Sequence, residues 1–239
     1  MKTEPAKTKD FKFKQFHICG GLSGMPVSTD GVLLGAWASF SDPEKILDIG
    51  TGTGLLALMC AQRFAKAEIT ALDIDDNAIA AASTNFNNSH WTDRLQLILQ
   101  DVLEFEPSYK FDAIICNPPY FNTGEQSSVS QRAKARHTDT LNHKSLLARC
   151  HRLLTKEGRA CFILPLFEGE TFLSMASEAN WNVAKVCRVR PNENKPTSRL
   201  LIELSKQTIA TEETELSIRS QDGYSEKFTA LTKAFYLKM

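Results

Sequence analysis

The sequence predicts an α/β fold built on a doubly wound, mostly parallel sheet of seven strands. Short apolar runs alternate with helical patterns from Lys45 onward, as they do in strand–helix–strand units. A glycine-rich turn follows the first of these runs, and aspartates end the second and third. Because open sheets of this class bind ligands beyond the carboxyl ends of their strands, we expect the functional site there.

The composition is that of one ordinary globular domain. Of the 239 residues, 42% are hydrophobic and 23% are charged, which is compatible with a sizeable core and argues against disorder. No apolar run approaches the length of a membrane span and the first residues lack an apolar signal region, so we expect a cytoplasmic protein without a membrane partner. Six cysteines are scattered without a CxxC pair, which predicts reduced thiols and no metal site. We also expect a monomer.

The charges are grouped along the chain although the formal net charge is zero. Basic residues collect near positions 2–14, 132–152 and 185–199, while acids collect at 212–222. This grouping is compatible with a basic face for a phosphate backbone. Solvated surface charges produce the same pattern more often, so the grouping alone does not decide.

Residues 1–43 are expected to form an N-terminal extension that packs on a core domain of residues 44–239. A polar tail and a short alternating strand pattern come first. Residues 28–31 then offer a helix cap ahead of the apolar helix from Val32 to Ala38.

From Lys45 the chain alternates strands with helices, bounded by glycine, proline or an acidic cap. The predicted strands are 46–50, 68–74, 95–99, 111–116, 160–164, 183–189 and 199–204. The predicted helices are 55–64, 76–88 and 141–154, the last closing near Gly158. Residues 213–239 suggest one more strand, a turn and a final helix.

The first strand carries Asp48 near its end and leads into a turn with three glycines, Gly50, Gly52 and Gly54. Glycine permits a tight turn and a close approach of backbone to ligand, although many such junctions need it for geometry alone. Asp73 ends the second strand, where an acid can accept from both ribose hydroxyls, and Asp101 ends the third, where it can accept from an adenine amine. Each acid alone is more often a helix cap, but three at successive strand ends favour a nucleoside pocket.

This glycine spacing differs from the GxGxxG of dinucleotide-binding folds. With Asp48 ahead of it, the turn resembles that of the class I S-adenosylmethionine-dependent methyltransferases, and the resemblance covers roughly residues 45–165. It implies a Rossmann-like fold with S-adenosyl-L-methionine as cofactor. It also implies that Asp48 and the glycine turn lie by the methionine part, Asp73 by the ribose and Asp101 by the adenine.

The fourth strand ends in Asn117-Pro118-Pro119-Tyr120, which indicates the reaction. Two prolines stop the strand and leave an amide, a proline carbonyl and an aromatic ring at its carboxyl end. The Asn117 side-chain oxygen and the Pro118 carbonyl can accept both hydrogens of a planar amine, while Tyr120 stacks on its base. The alternative is a plain strand stop with a packed tyrosine. The tetrapeptide resembles the one shared by methyltransferases that act on adenine, on guanine N2 or on protein glutamine.

Other segments resemble the bacterial tRNA adenine-N6 methyltransferases that modify adenosine 37, beside the anticodon of valine tRNA. They are Phe16 to Trp37, Arg136-His137 and Asp222-Gly223-Tyr224-Ser225, so the similarity spans nearly the whole chain. The resemblance implies tRNA as the partner and N6 of that adenosine as the methyl acceptor.

Residues 121–137, after the tetrapeptide, are numerous enough for a lid or a binding loop beside an active site. Basic side chains there could grip phosphates near the target nucleotide, and an aromatic side chain could cover the pocket. A solvated loop that orders only on tRNA is an equal alternative. The candidate substrate-binding residues are Phe121, Arg132, Lys134, Arg136 and His137.

Two other functions stay open from the sequence. One is another amino-group methyltransferase, acting on guanine N2 of rRNA, on N6 of DNA adenine or on a protein glutamine. The other is a non-methylating protein, either a nucleotide-binding oxidoreductase or a catalytically silent subunit. A labelled-methyl transfer assay with analysis of the product separates all of these.

Overall fold

The computed structural model describes residues 8–22, 26–119 and 142–238, which form a central sheet with helices on both faces. A two-stranded hairpin, β1 (Phe11–Lys12) and β2 (His17–Ile18), precedes helix α1 (Thr29–Trp37). The strands of the central sheet are β3 (Lys45–Ile49), β4 (Glu68–Asp73), β5 (Leu95–Leu99), β6 (Phe111–Cys116), β7 (Leu154–Pro165), β8 (Asn182–Asn192), β9 (Arg199–Ser205), β10 (Glu212–Ser220) and β11 (Gly223–Tyr224). The other helices are α2 (Leu55–Arg63), α3 (Asp76–Asn87), α4 (His143–Leu153), α5 (Leu166–Glu178) and α6 (Glu226–Thr232), with a 3-10 turn at Thr92–Arg94.

The strand order in the central sheet is β11-β10-β8-β9-β7-β6-β3-β4-β5. Strands β7, β6, β3, β4 and β5 run parallel, as do β8 and β10, whereas β9 is antiparallel to both of its neighbours. Strands β6, β7, β8 and β10 therefore all end at the same edge of the sheet. Between β3 and β6 the chain switches from one side of the sheet to the other, which is where open α/β sheets bind their ligands.

The prediction of a doubly wound, mostly parallel α/β sheet is confirmed, but the predicted number of seven strands is wrong. The seven predicted strands are present as β3 to β9. β10 adds an eighth by pairing in parallel with β8, and β11 adds a ninth by returning against the end of β10. Pairing with the tail satisfies backbone groups that would otherwise form an open sheet edge along β8.

Alternation along the strands divides the core into two layers. Ile46 and Ile115 face the layer that contains residues of α1, α2, α3 and α6. Leu47 and Ile114 face the opposite layer, which contains residues of α4 and α5. Strands covered on both faces are nearly continuous apolar runs, which explains the composition of β6. Within the described ranges no helix has the length and apolar character needed to cross a membrane.

The N-terminal segment joins the core through α1 and through the end of the chain. Gly35 in α1 lies so close to α2 that an added Cβ would meet the Met59 sulfur at 2.5 Å. Phe13 forms a β-bridge with Tyr236, and their ring centroids lie 5.9 Å apart. Residues of α1 and α2 belong to one hydrophobic layer. The domain boundary at residue 43 stays a prediction.

Candidate active site

The parallel register brings three of the predicted site residues to one level at the carboxyl edge of the sheet. Ile49, the last residue of β3, pairs with Leu72 in β4 and with Cys116 in β6. The residues that follow these three positions are the predicted site residues Gly50, Asp73 and Asn117. The predicted cofactor turn and the predicted amine-binding residue thus start side by side.

The glycine turn after β3 requires glycine for two different reasons. Gly50, Gly52 and Gly54 all have left-handed backbone, with φ of 69°, 56° and 82°. A Cβ added at Gly50 or Gly52 would meet no atom within 4 Å, so the backbone there borders open space that a ligand can occupy. A Cβ at Gly54 would meet Cε1 of Phe86 at 2.5 Å, so this glycine is required by packing against α3 as well.

Asp73 fixes the glycine turn from the neighbouring strand. Its Oδ2 accepts a hydrogen bond from the Gly52 amide at 2.8 Å, and its Oδ1 accepts one from the Asp75 amide at 3.0 Å. Burial raises the pKa of Asp73, against the effect of these amides. A carboxylate has about four acceptor positions, so the group keeps acceptor capacity for a ligand.

Asp48 is fully buried beneath the turn. Its Oδ2 accepts from the Thr51 hydroxyl at 2.6 Å and from the Ala57 amide at 3.1 Å, which joins β3, the turn and α2. Its Oδ1 has no hydrogen-bond partner among the described residues. Burial raises the pKa of Asp48 to about 7. An unpartnered buried carboxylate oxygen marks a position where a donor or cationic group of a ligand would be stabilised.

Asp101 lies two residues beyond β5, in the turn next to that of Asp73. Its Oδ1 accepts from the Leu103 amide at 2.9 Å, and the residue is half-buried. It therefore caps a turn, as the plain interpretation of a strand-end aspartate predicts. Its cofactor role stays a prediction.

Asn117 and Pro118 follow β6 directly, with Asn117 half-buried and Pro118 buried. They occupy the strand end that the sequence predicts for them. The other candidate residues lie outside the residues that the structure describes, and they are Tyr120, Phe121, Arg132, Lys134, Arg136 and His137.

Asn85, a buried side chain on α3, is a further residue at the site that the sequence did not predict. Its Nδ2 donates to the carbonyl of Thr53 at 2.8 Å and to that of Cys19 at 3.1 Å, while its Oδ1 accepts from the Cys19 amide at 2.8 Å. One amide thus joins the N-terminal hairpin to the glycine turn. The available signal was an asparagine in the apolar stripe of α3, beside Ala81, Ala82 and Phe86.

An ion pair between distant parts of the chain was also missed. Arg199 Nε donates to Asp30 Oδ2 at 2.7 Å, which connects the start of β9 with the first turn of α1. Arg199 pairs in the sheet with Pro165, at the end of the strand next to β6. The pair therefore holds α1 at the same sheet edge as Asn117.

Most of the predicted basic stretch at 185–199 is neutralised within the fold. Its cations Lys185, Arg188 and Arg190 form ion pairs with Glu212 at 3.8 Å, Glu170 at 2.8 Å and Glu215 at 2.9 Å. The acids that are distant in sequence lie beside these cations because β10 pairs with β8 and α5 packs nearby. Arg149 is likewise buried and bonded to Glu106 at 2.8 Å. These residues do not form the basic face that the sequence suggested.

Comparison with known proteins finds similar sequences along the whole chain. The family model described as "Methyltransferase small domain" matches residues 32–163, from α1 to β7. The chain is 63% identical over 239 residues to a Vibrio campbellii protein named "tRNA1(Val) (adenine(37)-N6)-methyltransferase", covering all of both chains. It is 51% identical over 232 residues to an Aliivibrio fischeri protein of the same name, covering 97% of this chain and 99% of the relative.

Solved structures with the same fold are more distant in sequence. A predicted O-methyltransferase from Agrobacterium tumefaciens matches with a TM-score of 0.67 at 16% identity, over 86% of this chain and 96% of its own. The glycopeptide N-methyltransferase MtfA, in complex with S-adenosyl-L-methionine, matches with a TM-score of 0.56 at 13% identity, over 76% of this chain and 100% of its own. At these identities the likeness shows the shared fold.

Proposed function

This chain belongs to the family of methyltransferases whose curated members are named tRNA1(Val) (adenine(37)-N6)-methyltransferase, and from that premise we propose that it methylates N6 of adenosine 37 in valine tRNA. The observation that carries the proposal is the common level of Gly50, Asp73 and Asn117 at one sheet edge. This register supports a nucleoside pocket beside an amine-binding strand end. A transfer reaction between two bound molecules needs such adjacency.

The residues present fit S-adenosyl-L-methionine as the methyl donor. The open space beside Gly50 and Gly52 allows a ligand to lie directly against the backbone. Asp73 keeps acceptor capacity for ribose hydroxyls. The unpartnered Oδ1 of Asp48 suits the methionine ammonium, and we assign Asp101 to the adenine. When bound, the donor supplies an electrophilic methyl group on a positively charged sulfur.

The chain's part in the chemistry is to hold the target amine. The lone pair of a purine amine is delocalised into the ring, so the amine is a poor nucleophile. The Asn117 side-chain oxygen and the Pro118 carbonyl accept its two hydrogens and favour a pyramidal nitrogen whose lone pair points at the methyl group. Tyr120 is proposed to stack on the base. The nitrogen loses its proton to water after it has gained the methyl group, so no basic side chain is required.

We propose further that the reaction needs no metal ion. In the part of the chain that the structure describes, Asp10, His17 and Cys19 form a group whose donor atoms lie within 4.8 Å of one another. This group lies around the β1–β2 hairpin rather than at the strand ends. Activity should therefore persist with a chelator such as EDTA.

We also propose that the protein is a monomer and that it acts on tRNA in the cytoplasm. Light scattering during gel filtration tests whether it is a monomer.

Incubation with labelled S-adenosyl-L-methionine and unmodified total tRNA tests the function. Digestion of the product should give N6-methyladenosine, and mapping should place it at position 37 of valine tRNA. Methylated guanosine, or label transferred to DNA or protein instead, would replace the proposed substrate with another amine. Absence of any transfer, with cofactor bound, would indicate a non-methylating protein.

A further inference from the structure

Arg219, Tyr224 and Phe228 form a stack at the β10–β11 hairpin that is exposed on one side. The proposed reaction does not use these residues. The rings of Tyr224 and Phe228 lie parallel within 24°, with centroids 5.0 Å apart. The guanidinium carbon of Arg219 lies 5.0 Å from the centroid of the Tyr224 ring. Phe228 is buried and anchors the stack, whereas Tyr224 is 47% exposed and Arg219 is exposed. A guanidinium over an aromatic ring is held by a cation–π interaction.

Arg219 differs from the arginines of the neighbouring strand. Arg188 and Arg190 in β8 are bonded to Glu170 and Glu215. Arg219 forms no ion pair with a carboxylate in the parts of the chain described here, residues 8–22, 26–119 and 142–238. A guanidinium fixed by a ring instead of an acid keeps its charge and its forked donors available to an external anion.

The stack lies at the same edge of the sheet as the candidate active site. One level of paired residues runs across the sheet through Cys116, Phe162, Ile202, Val186 and Glu213. Arg219 follows Glu213 further along β10, toward the edge where Asn117 follows Cys116. Four strand spacings and five residue steps separate Arg219 from Asn117, which corresponds to roughly 25 Å on a flat sheet. A folded RNA with one base at Asn117 extends over this distance.

Exposed lysines lie on the N-terminal hairpin and on α6, the helix that carries Phe228. Lys14 Nζ donates to the carbonyl of Lys233 at 2.6 Å, so the N-terminal segment lies against the chain just after α6. Lys12 and Lys227 are also exposed on these elements. Acids are present too, Asp222 in the hairpin turn and Glu226 at the start of α6. An anion bound here would therefore depend on the guanidinium of Arg219 and not on the charge of the whole surface.

We propose that Arg219, held in place by Tyr224, binds a backbone phosphate of the tRNA while its target adenosine lies at Asn117. The inference rests on the proposed function, since it names a second contact for the same substrate. A phosphate contact positions the nucleic acid without reading its sequence. It therefore contributes to tRNA affinity and leaves the chemical step unchanged.

The test compares Arg219→Gln with Arg190→Gln as the matched control, because Arg190 is already ion-paired. Binding of unmodified tRNA and of the cofactor is measured directly, and KM and kcat are measured with saturating cofactor. Arg219→Gln should weaken tRNA binding severalfold, raise KM likewise, keep kcat, and lower the slope of log K against log salt by about one unit. Tyr224→Leu should produce a smaller change of the same kind, because leucine keeps an apolar side chain at this position but loses the ring that holds the guanidinium.

Affinity, KM and salt slope of Arg219→Gln equal to those of Arg190→Gln would overturn the proposal. A fall in kcat at saturating tRNA would also contradict it, because a phosphate contact remote from the reacting atoms does not alter the chemical step. The direct binding measurement does not depend on turnover. If the unaltered protein binds tRNA but forms no methyladenosine, the proposed function fails while the Arg219 contact is still decided.

Discussion

The Asp73 carboxylate accepts a hydrogen bond from the Gly52 amide at 2.8 Å, so the end of β4 fixes the turn that follows β3. The same carboxylate is the residue to which we assign the ribose of the cofactor. This assignment couples the shape and the affinity of the proposed pocket in one side chain. A ligand hydroxyl bound there would contact a group that the fold already holds in place.

Replacement of Asp73 should weaken cofactor binding in a graded way. Asp73→Ala removes the acceptor for the ligand and for the Gly52 amide, whereas Asp73→Asn keeps one acceptor oxygen. Since a hydrogen bond to a charged group contributes about 1.5–3 kcal/mol, we expect Kd to rise roughly 10- to 100-fold in Asp73→Ala and less in Asp73→Asn. Calorimetric titration measures both, and unchanged affinity in Asp73→Ala would refute the ribose assignment.

Asn117→Ala should abolish most of the transfer while it leaves cofactor binding intact. The variant loses one of the two acceptors for the target amine, and loss of one such aligned group costs on the order of 10²–10³ in kcat. Single-turnover transfer to tRNA gives the rate, and titration with cofactor gives the control. Normal turnover in this variant would refute the role of Asn117 in holding the amine.

The glycines of the turn should separate stability from binding. Gly50→Ala places a methyl group in open space at φ of 69°, so it should cost about 1 kcal/mol of stability but obstruct the ligand. Gly54→Ala has similar backbone strain and also meets Phe86, so its cost should be larger. Chemical denaturation and cofactor titration of both variants test this. Equal losses of stability would contradict the packing argument at Gly54.

The raised pKa of Asp48 predicts how the free energy of unfolding changes with pH. Its pKa is raised from 3.8 to about 7 in the folded protein. Below pH 3.8 the group is protonated in both the folded and the unfolded state, so it does not lower the free energy of unfolding. The cost of ionising this buried group grows as pH rises from 3.8 to 7 and then levels off. Asp48→Asn removes that cost and keeps an acceptor oxygen for Thr51 and Ala57. The stability of the variant relative to the unaltered protein should therefore increase by about 2–3 kcal/mol between pH 5 and pH 8.

Denaturant unfolding of both proteins without cofactor at several pH values measures this difference. The same difference at every pH would show that Asp48 is ionised in the folded protein with its ordinary pKa.

The sheet and the level of the site residues could be predicted because the ends of apolar runs define the strand ends. The prediction that the helix over residues 141–154 closes near Gly158 was wrong. Helix α4 ends at Leu153, and Leu154 already pairs with Phe111 in the sheet. Sheet pairing across a long sequence separation, not local periodicity, fixes that boundary. The same limitation hid the neutralisation of Lys185 and Arg190, which depends on β10 pairing with β8.

Asn85 joins segments that lie far apart in the chain. Its three hydrogen bonds reach Cys19 and Thr53, which are 66 and 32 residues away in the chain, so no local pattern could identify them. Asn85→Ala leaves the half-buried amide and carbonyl of Cys19 and the buried carbonyl of Thr53 without this partner. Unmet buried groups cost about 1–3 kcal/mol each, so we expect a loss of about 2–4 kcal/mol of unfolding free energy and weaker cofactor binding.

Asn87→Ala is the matched control, since Asn87 is exposed on the same helix and should change stability by less than about 0.5 kcal/mol. Equal effects at positions 85 and 87 would mean that the hairpin and the glycine turn are not held by this side chain. If Asn85→Ala loses stability but binds cofactor normally, the amide supports the fold without shaping the pocket. A loss of both, with Asn87→Ala unchanged, would establish that the N-terminal hairpin and the cofactor turn are coupled through one buried amide.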